Sequence, residues 1–180
     1  KINLKKHSRL KAIGDLIFTK NGIRGPVVLD FAREITPLLE AHGEVPLLVN
    51  LTKGLNENEI EKHLKFEIQK NTNLTLIELL KTVLPHSVAS EFLKLLALKP
   101  DESFKKIHPQ SRQNLIKLLV WTPLTIVGHD GFKSAMVTRG GVSLKEIDPK
   151  TMQSKIVKGL YFCGEVVNLD GPCGGYNLQW

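Results

Sequence analysis

The spacing of hydrophobic residues changes twice along this chain, and the changes divide it into three regions. Up to about Leu51 the apolar residues sit in short extended runs around turns. LIFTK at residues 16–20 and VPLLVNL at 45–51 have the length and composition of strands. Between them Gly25-Pro26 leads into VVLDFAREITPLLE, where Val27, Val28, Phe31, Ile35 and Leu38 recur at helical intervals. Pro26 suits a first helical turn, because the amide it lacks would find no partner there. A short helix is predicted.

From about Asn56 to Leu119 the pattern is helical throughout. Asn56 followed by Glu59 has capping-box spacing, in which each side chain satisfies the other residue's free amide. Ile60, Leu64 and Ile68 then fall on one stripe. Thr75 and Glu78 repeat the arrangement before LIELLKTVL, which Pro85 stops. HSVASEFLKLLAL and SRQNLIKLLV supply a third and a fourth helix, with Pro100 and Pro109 at the connections. The Leu-rich stripes read as the core of a small helical subdomain. A groove for a protein partner is the alternative reading.

Strand-like runs return after Pro123 in PLTIVGH, SAMVTRGGVSL and KIVKGLYFCGEVV. Strands on both sides of the helical block share one character, so the expected fold class is α+β. A β-barrel-like sheet domain, in two parts at residues 1–54 and 120–162, is interrupted by a helical subdomain at 55–119. No internal repeat or low-complexity segment is present.

Composition narrows the class without choosing a function. The chain is 42% hydrophobic and 24% charged, ordinary for a soluble globular protein. No apolar run approaches the ~18 residues of a membrane span, and the opening KINLKKHSRLKAIG has no apolar signal core, so the cytoplasm is expected and a membrane is not. Cys163 and Cys173 make neither a disulfide framework nor a zinc-spaced cluster, and no metal is expected. The net charge of +7 invites a polyanion. Outside Lys1, Lys5, Lys6, Arg9 and Lys11, however, the positive residues are mixed with acids, as Glu57, Glu59 and Glu61 are with Lys62 and Lys65, which is the pattern of a solvated helix face. A basic nucleic-acid-binding module is therefore the lesser alternative, and an anionic cofactor or an acidic partner surface explains the same excess.

Candidate chemistry gathers in three glycine-bearing stretches, TKNGIRGP at residues 19–26, VTRGGVSL at 137–144 and GEVVNLDGPCGGYN at 164–177. Glycine there permits positive φ or a close approach of backbone to another group, and successive amides in such turns can surround an anion. A hairpin or cap explains each stretch taken alone. In the last, Glu165 follows an apolar run beside a glycine, an arrangement that can hold a ribose or ribityl hydroxyl. Gly174-Gly175 adds a second turn, with Tyr176 to stack and Asn177 to hydrogen bond. A solvated acid at a strand end and a half-buried aromatic are equally good accounts of Glu165 and Tyr176.

GLYFCGEVVNLDGPCGGYNLQW resembles the C-terminal flavin motif of the BaiN/RdsA-type (YhiN-like) family of NAD(P)/FAD-dependent oxidoreductases, G-L-Y-F-x-G-E-x-x-x-x-x-G-x-x-G-G-Y-N. LIFTKNGIRGPVVLD is similar to that family's F-T-H-x-G-[IL]-S-G-P segment, and VTRGGVSLKEIDPKTMQSKIVKGLYF to its V-T-x-G-G-V run. The blocks stand in the family's order from Leu16 to Trp180. The resemblance implies the barrel-and-helices insertion region of a flavoprotein of the two-dinucleotide-binding-domain type, with residues 163–180 returning to an FAD-binding domain. It implies FAD contacts at Gly164, Glu165, Gly171, Gly174, Gly175, Tyr176 and Asn177. A substrate cleft is implied at Thr19, Gly22, Gly25 and Pro26 on one side and Thr138, Gly140 and Gly141 on the other, with NAD(P)H as electron donor and a small molecule as substrate. Lys20 stands where the family commonly has His and Arg24 where it has Ser, while Cys163 and Cys173 replace small or hydroxyl-bearing residues, so no particular substrate carries over. Tyr176, His129 and Lys20 are acid–base candidates by chemical type alone.

A dinucleotide site needs a G-x-G-x-x-G turn between a strand and a helix, and none occurs in these 180 residues. The chain is therefore expected to be the insert region of a longer protein, inactive and poor at holding FAD without the Rossmann-like domain that would complete the site.

Overall fold

Both capping boxes form. In the computed structural model, Asn56 accepts from the Glu59 amide and returns its own amide to the Glu59 carboxylate, and Thr75 and Glu78 do the same. The structure describes residues 2–4, 7–137 and 139–179, with the backbone alone for residues 2–4, 7–10 and 134. It divides into two units, Lys1–Lys11 with Pro46–Thr125 and Ala12–Val45 with Ile126–Trp180.

The first unit joins a sheet to four helices. Strands β1 (Ile2–Leu4) and β2 (His7–Ala12) precede β5 (Val45–Val49) and β6 (Thr122–Ile126), and the sheet order is β2-β1-β5-β6. β1 runs antiparallel to β5, with Ile2 opposite Val49 and Leu4 opposite Leu47. Val45, Leu47 and Val49 are buried and alternate with half-buried Pro46 and Leu48, as the two-residue period of a strand requires. The Asn50 carboxamide then organises the exit turn: Oδ1 accepts from the Thr52 amide, the Thr52 hydroxyl and the Gly54 amide, while Nδ2 donates to the Leu55 carbonyl at 2.8 Å.

Helices α2 (Glu57–Lys70), α3 (Leu76–Leu80), α4 (His86–Leu95) and α5 (Pro109–Val120) lie close to their sequence-based positions. Ile60, Leu64, Leu76, Leu79, Leu80, Leu93, Leu115 and Leu119 are fully buried in one cluster. At about 1.5–3 kcal/mol for each large apolar side chain taken from water, this cluster is the main source of stability in the unit.

The second unit contains a hairpin, one helix and a long irregular segment. β3 (Ile17–Thr19) pairs antiparallel with β4 (Gly22–Arg24), and β4 runs into α1 (Pro26–His42) through Gly25. Gly25 has φ 116°, and a Cβ there would lie 2.5 Å from the Asp15 carbonyl oxygen, so only glycine fits the junction. α1 is longer than the short helix expected: it passes through Pro37 and ends at left-handed Gly43, whose amide bonds the Leu39 carbonyl. Val27, Phe31 and Leu39 are its buried residues, while Val28, Ile35 and Leu38 are half-buried.

The barrel expectation does not hold. The four-stranded sheet is open, the β3–β4 hairpin stands as a separate sheet, and no closed barrel forms among the described residues. PLTIVGH contributes only its beginning, as β6. SAMVTRGGVSL and KIVKGLYFCGEVV, expected as strands, form isolated bridges and short 3-10 turns instead. Gly140, Gly141, Gly159 and Gly164 take positive φ and interrupt extension. The backbone between them bonds locally, Asp148 to Gln153, Ser154 to Leu160 and Phe162 to Met152. The coarser α+β reading, helices mixed with strands, stands. No described helix is long and apolar enough to cross a membrane.

Candidate functional site

All three glycine-bearing stretches lie in the second unit, and the structure brings two of them into contact. Gly141 packs so tightly on the turn at residues 164–166 that an added Cβ would sit 2.3 Å from the Val166 carbonyl oxygen. That oxygen accepts the Val142 amide at 2.8 Å, the Asn168 amide bonds the Val142 carbonyl at 2.9 Å, and Val142 bridges Val167 in parallel. Gly141 thereby lies beside Val166, and the parallel register carries Gly140 toward Glu165. Thr138 lies outside the described residues.

The turn at 164–166 in turn contacts the turn at 175–178. Asn177 is buried, and its side chain works within the loop: Oδ1 accepts the Gly171 amide at 2.7 Å, and Nδ2 reaches the Gly171 and Pro172 carbonyls. It closes the Gly171–Asn177 loop, while Gly174, Gly175 and the Tyr176 ring point outward, Tyr176 at 57% exposure. Gly174 has φ 137°, open to glycine and strained for other residues, and no described atom crowds a Cβ position at Gly175. Glu165 is half-buried, with no partner for its carboxylate among the described residues.

The hairpin stretch is placed by other contacts. Thr19 is exposed, and its hydroxyl donates across the turn to the Gly22 carbonyl at 3.0 Å. Lys20 is exposed, and Gly25 and Pro26 start α1. Arg24 Nη2 pairs with Asp130 at 2.8 Å, and beside it His129 Nδ1 accepts the Gly131 amide at 3.0 Å, so this histidine braces its own turn. Cys163 is exposed and Cys173 half-buried, both as free thiols.

Four charged side chains hold this arrangement, two on α1 and two inside the glycine-bearing stretches. The Asp30 carboxylate on α1 accepts the Cys173 amide. Asp170 lies between two guanidinium groups, Arg33 Nη1 at 3.5 Å and Arg139 Nε at 3.9 Å, and Arg139 Nη1 also donates to the Arg33 carbonyl at 3.0 Å. Asp30 and Arg33, three residues apart on α1, share a helix face, and that spacing is the only sequence trace of the cluster. Among the described residues no group of three or more His, Cys, Asp or Glu is placed to hold a metal ion.

The family model described as "HI0933-like protein Rossmann domain" matches residues 23–180. The chain is 30% identical over 167 residues to the 3-dehydro-bile acid delta(4,6)-reductase of Clostridium scindens, covering 93% of this chain and 41% of that protein. It is 35% identical over 166 residues to the ribosomal RNA dihydrouridine synthase of Escherichia coli, covering 92% of this chain and 39% of that protein. Against the enzyme of the same name from Haemophilus influenzae it is 33% identical over 165 residues, with the same coverage. The chain thus spans about two fifths of the length of these relatives.

Proposed function

The chain belongs to the HI0933-like Rossmann-domain family, and from that premise we propose that it serves an FAD-dependent oxidoreductase whose cofactor is met by the glycine loops at 140–141, 164–166 and 171–177. The observation that carries this reading is their mutual registration: Gly141 seats on the Val166 carbonyl, while Asn177 closes its loop from within and leaves Gly174, Gly175 and Tyr176 facing outward.

These residues fit a flavin nucleotide. Glu165 has a half-exposed carboxylate able to accept from a ribityl or ribose hydroxyl, the uncrowded Gly174-Gly175 backbone allows close approach of a ligand, and Tyr176 offers an exposed ring for stacking. When bound, FAD supplies hydride chemistry, with NAD(P)H as the electron donor. The chain's own part is to bind and orient: Asn177 and Gly141 keep the loops in shape, and the Thr19–Pro26 hairpin junction borders the substrate. The test is titration with FAD of the protein as the cell makes it. Uptake with a yellow flavin spectrum, reduced by Gly174→Val and by Glu165→Gln, is the expected result. A folded protein that takes up no FAD sinks the reading.

A second reading concerns the substrate. Two relatives are named for ribosomal RNA, and the positive charge of this chain is unevenly distributed. Residues Lys1–Lys11 and Pro46–Thr125 carry sixteen Lys and Arg against eight Asp and Glu, whereas the unit with the glycine loops carries nine against ten. A polyanion held by the first unit, with redox chemistry served by the second, is the simplest use of that division. For RNA the reaction would add a hydride and a proton across a uridine double bond, NAD(P)H being oxidised. A gain of two hydrogens in RNA mass, dependent on the protein, supports the RNA substrate; turnover of small molecules without RNA binding favours a small-molecule substrate.

A further inference from the structure

Helix α1 contains a proline at position 37, and the carbonyl that Pro37 deprives of an amide is that of Arg33, four residues earlier. That same carbonyl accepts Arg139 Nη1 at 3.0 Å. Arg139 precedes Gly140-Gly141 directly, so the helix catches one glycine segment at the point where its own ladder is broken. One turn earlier on the helix, Asp30 holds the amide of Cys173, and between these contacts Asp170 is shared by Arg33 and Arg139. The Asp170 side chain is 23% exposed, against 43% and 59% for the two arginines, so it is the least solvated of the three.

We propose that Asp30, Arg33, Arg139 and Asp170 are positioning residues, and that α1 is the hub that fixes the Arg139–Gly141 and Asp170–Asn177 segments relative to one another for flavin binding. The inference rests on the flavin reading for its purpose but not for its geometry. Because the helix begins at the end of the β3–β4 hairpin, the same hub links the hairpin to both glycine segments. Isolated surface ion pairs contribute little. Here a charge-assisted bond to a half-buried main-chain amide and an arginine bound to an unpaired helix carbonyl act on the same loops, and such bonds are the stronger kind.

The experiment uses the protein as the cell makes it and reads hydrogen exchange at residues 139–142 and 170–177 together with FAD affinity and the visible flavin spectrum. Asp30→Ala removes the acceptor for Cys173, and exchange in 170–177 is expected to rise about tenfold or more while helices α2 to α5 keep their protection. FAD affinity should fall about tenfold, with a changed flavin band. Asp30→Asn keeps an acceptor oxygen and should restore both. Arg139→Ala removes the donor to the Arg33 carbonyl and one partner of Asp170; residues 139–142 should then exchange faster and FAD should bind more weakly.

Unchanged exchange in both segments for Asp30→Ala and Arg139→Ala would overturn the hub. Faster exchange with native FAD affinity and spectrum would also overturn it as a positioning device, leaving only a structural brace. A native protein that takes up no FAD defeats the flavin reading instead, and the hub is then decided by exchange.

Discussion

The guanidinium of Arg139 donates to the main-chain carbonyl of Arg33, 106 residues away in sequence, at a distance of 3.0 Å. The bond joins the segment leading into Gly140-Gly141 to the middle of α1, at a carbonyl that Pro37 leaves without its helical partner. Beside a few buried apolar residues such as Val27, Phe31 and Val167, the second unit draws on such polar contacts, and many of its described apolar side chains are exposed, Phe132 at 87% and Leu178 at 75%. The leucine-rich cluster of the first unit has a different basis, and substitutions in the two units should behave differently.

Gly141 and Gly140 separate steric from conformational cost. Both have positive φ, but an added Cβ at Gly141 meets the Val166 carbonyl at 2.3 Å, while at Gly140 it meets no described atom within 4 Å. Gly140→Ala should cost about 1–2 kcal/mol from backbone strain alone, and Gly141→Ala distinctly more. Denaturant titration monitored by exchange in residues 139–168 measures the difference. Equal costs would show that the contact with Val166 yields readily.

The Nε2 atom of His63 is buried and has no hydrogen-bond partner among the described residues. His63→Leu on α2 removes that atom, retains apolar contact and improves helix propensity. A gain of about 1 kcal/mol in unfolding free energy is expected, read from the denaturant midpoint at unchanged slope. A decrease would mean that the imidazole contributes more by packing than its unpaired nitrogen costs.

Glu78 makes the helical region sensitive to acid. The backbone amide of Thr75, and then its hydroxyl, donate to the carboxylate and hold its pKa below the ordinary glutamate value. A lowered folded-state pKa contributes stability that is present above the unfolded value and lost as pH falls through the folded one. Glu78→Gln should therefore melt below the native protein near neutrality, and the gap should close at acidic pH. A gap independent of pH would remove the carboxylate's charge from the account.

Lys105 and Lys106 are exposed on the basic first unit. If that unit meets a polyanion, Lys105→Ala with Lys106→Ala should weaken RNA binding evenly across sequences and lower the salt slope by about one for each phosphate left without its lysine. Binding that ignores salt and both lysines would count against the polyanion reading.

Much of the first unit is legible in the sequence because its signals are local. Asn56 with Glu59 and Thr75 with Glu78 specify helix starts within four residues, and the apolar stripes that follow bury as their spacing requires. KIVKGLYFCGEVV departs from its strand reading because an apolar run looks extended on paper, whereas Gly159 and Gly164 adopt positive φ and the intervening amides bond to neighbouring loops. The glycine motifs are visible as motifs. Nothing in them shows that Asn177 faces inward to Gly171, or that Gly141 seats on Val166.

The amino-acid order by itself determined where helices begin, which of their faces are apolar, and where glycine must relieve the backbone, since each depends on neighbours a few residues away. Only the tertiary structure decided that the sheet stays open, that Asp30 reaches the amide of Cys173 across 143 residues, and that Arg33, Arg139 and Asp170 form one cluster. Those outcomes depend on which distant segments can close on one another without leaving a buried polar group unpaired, and local spacing carries no record of that competition.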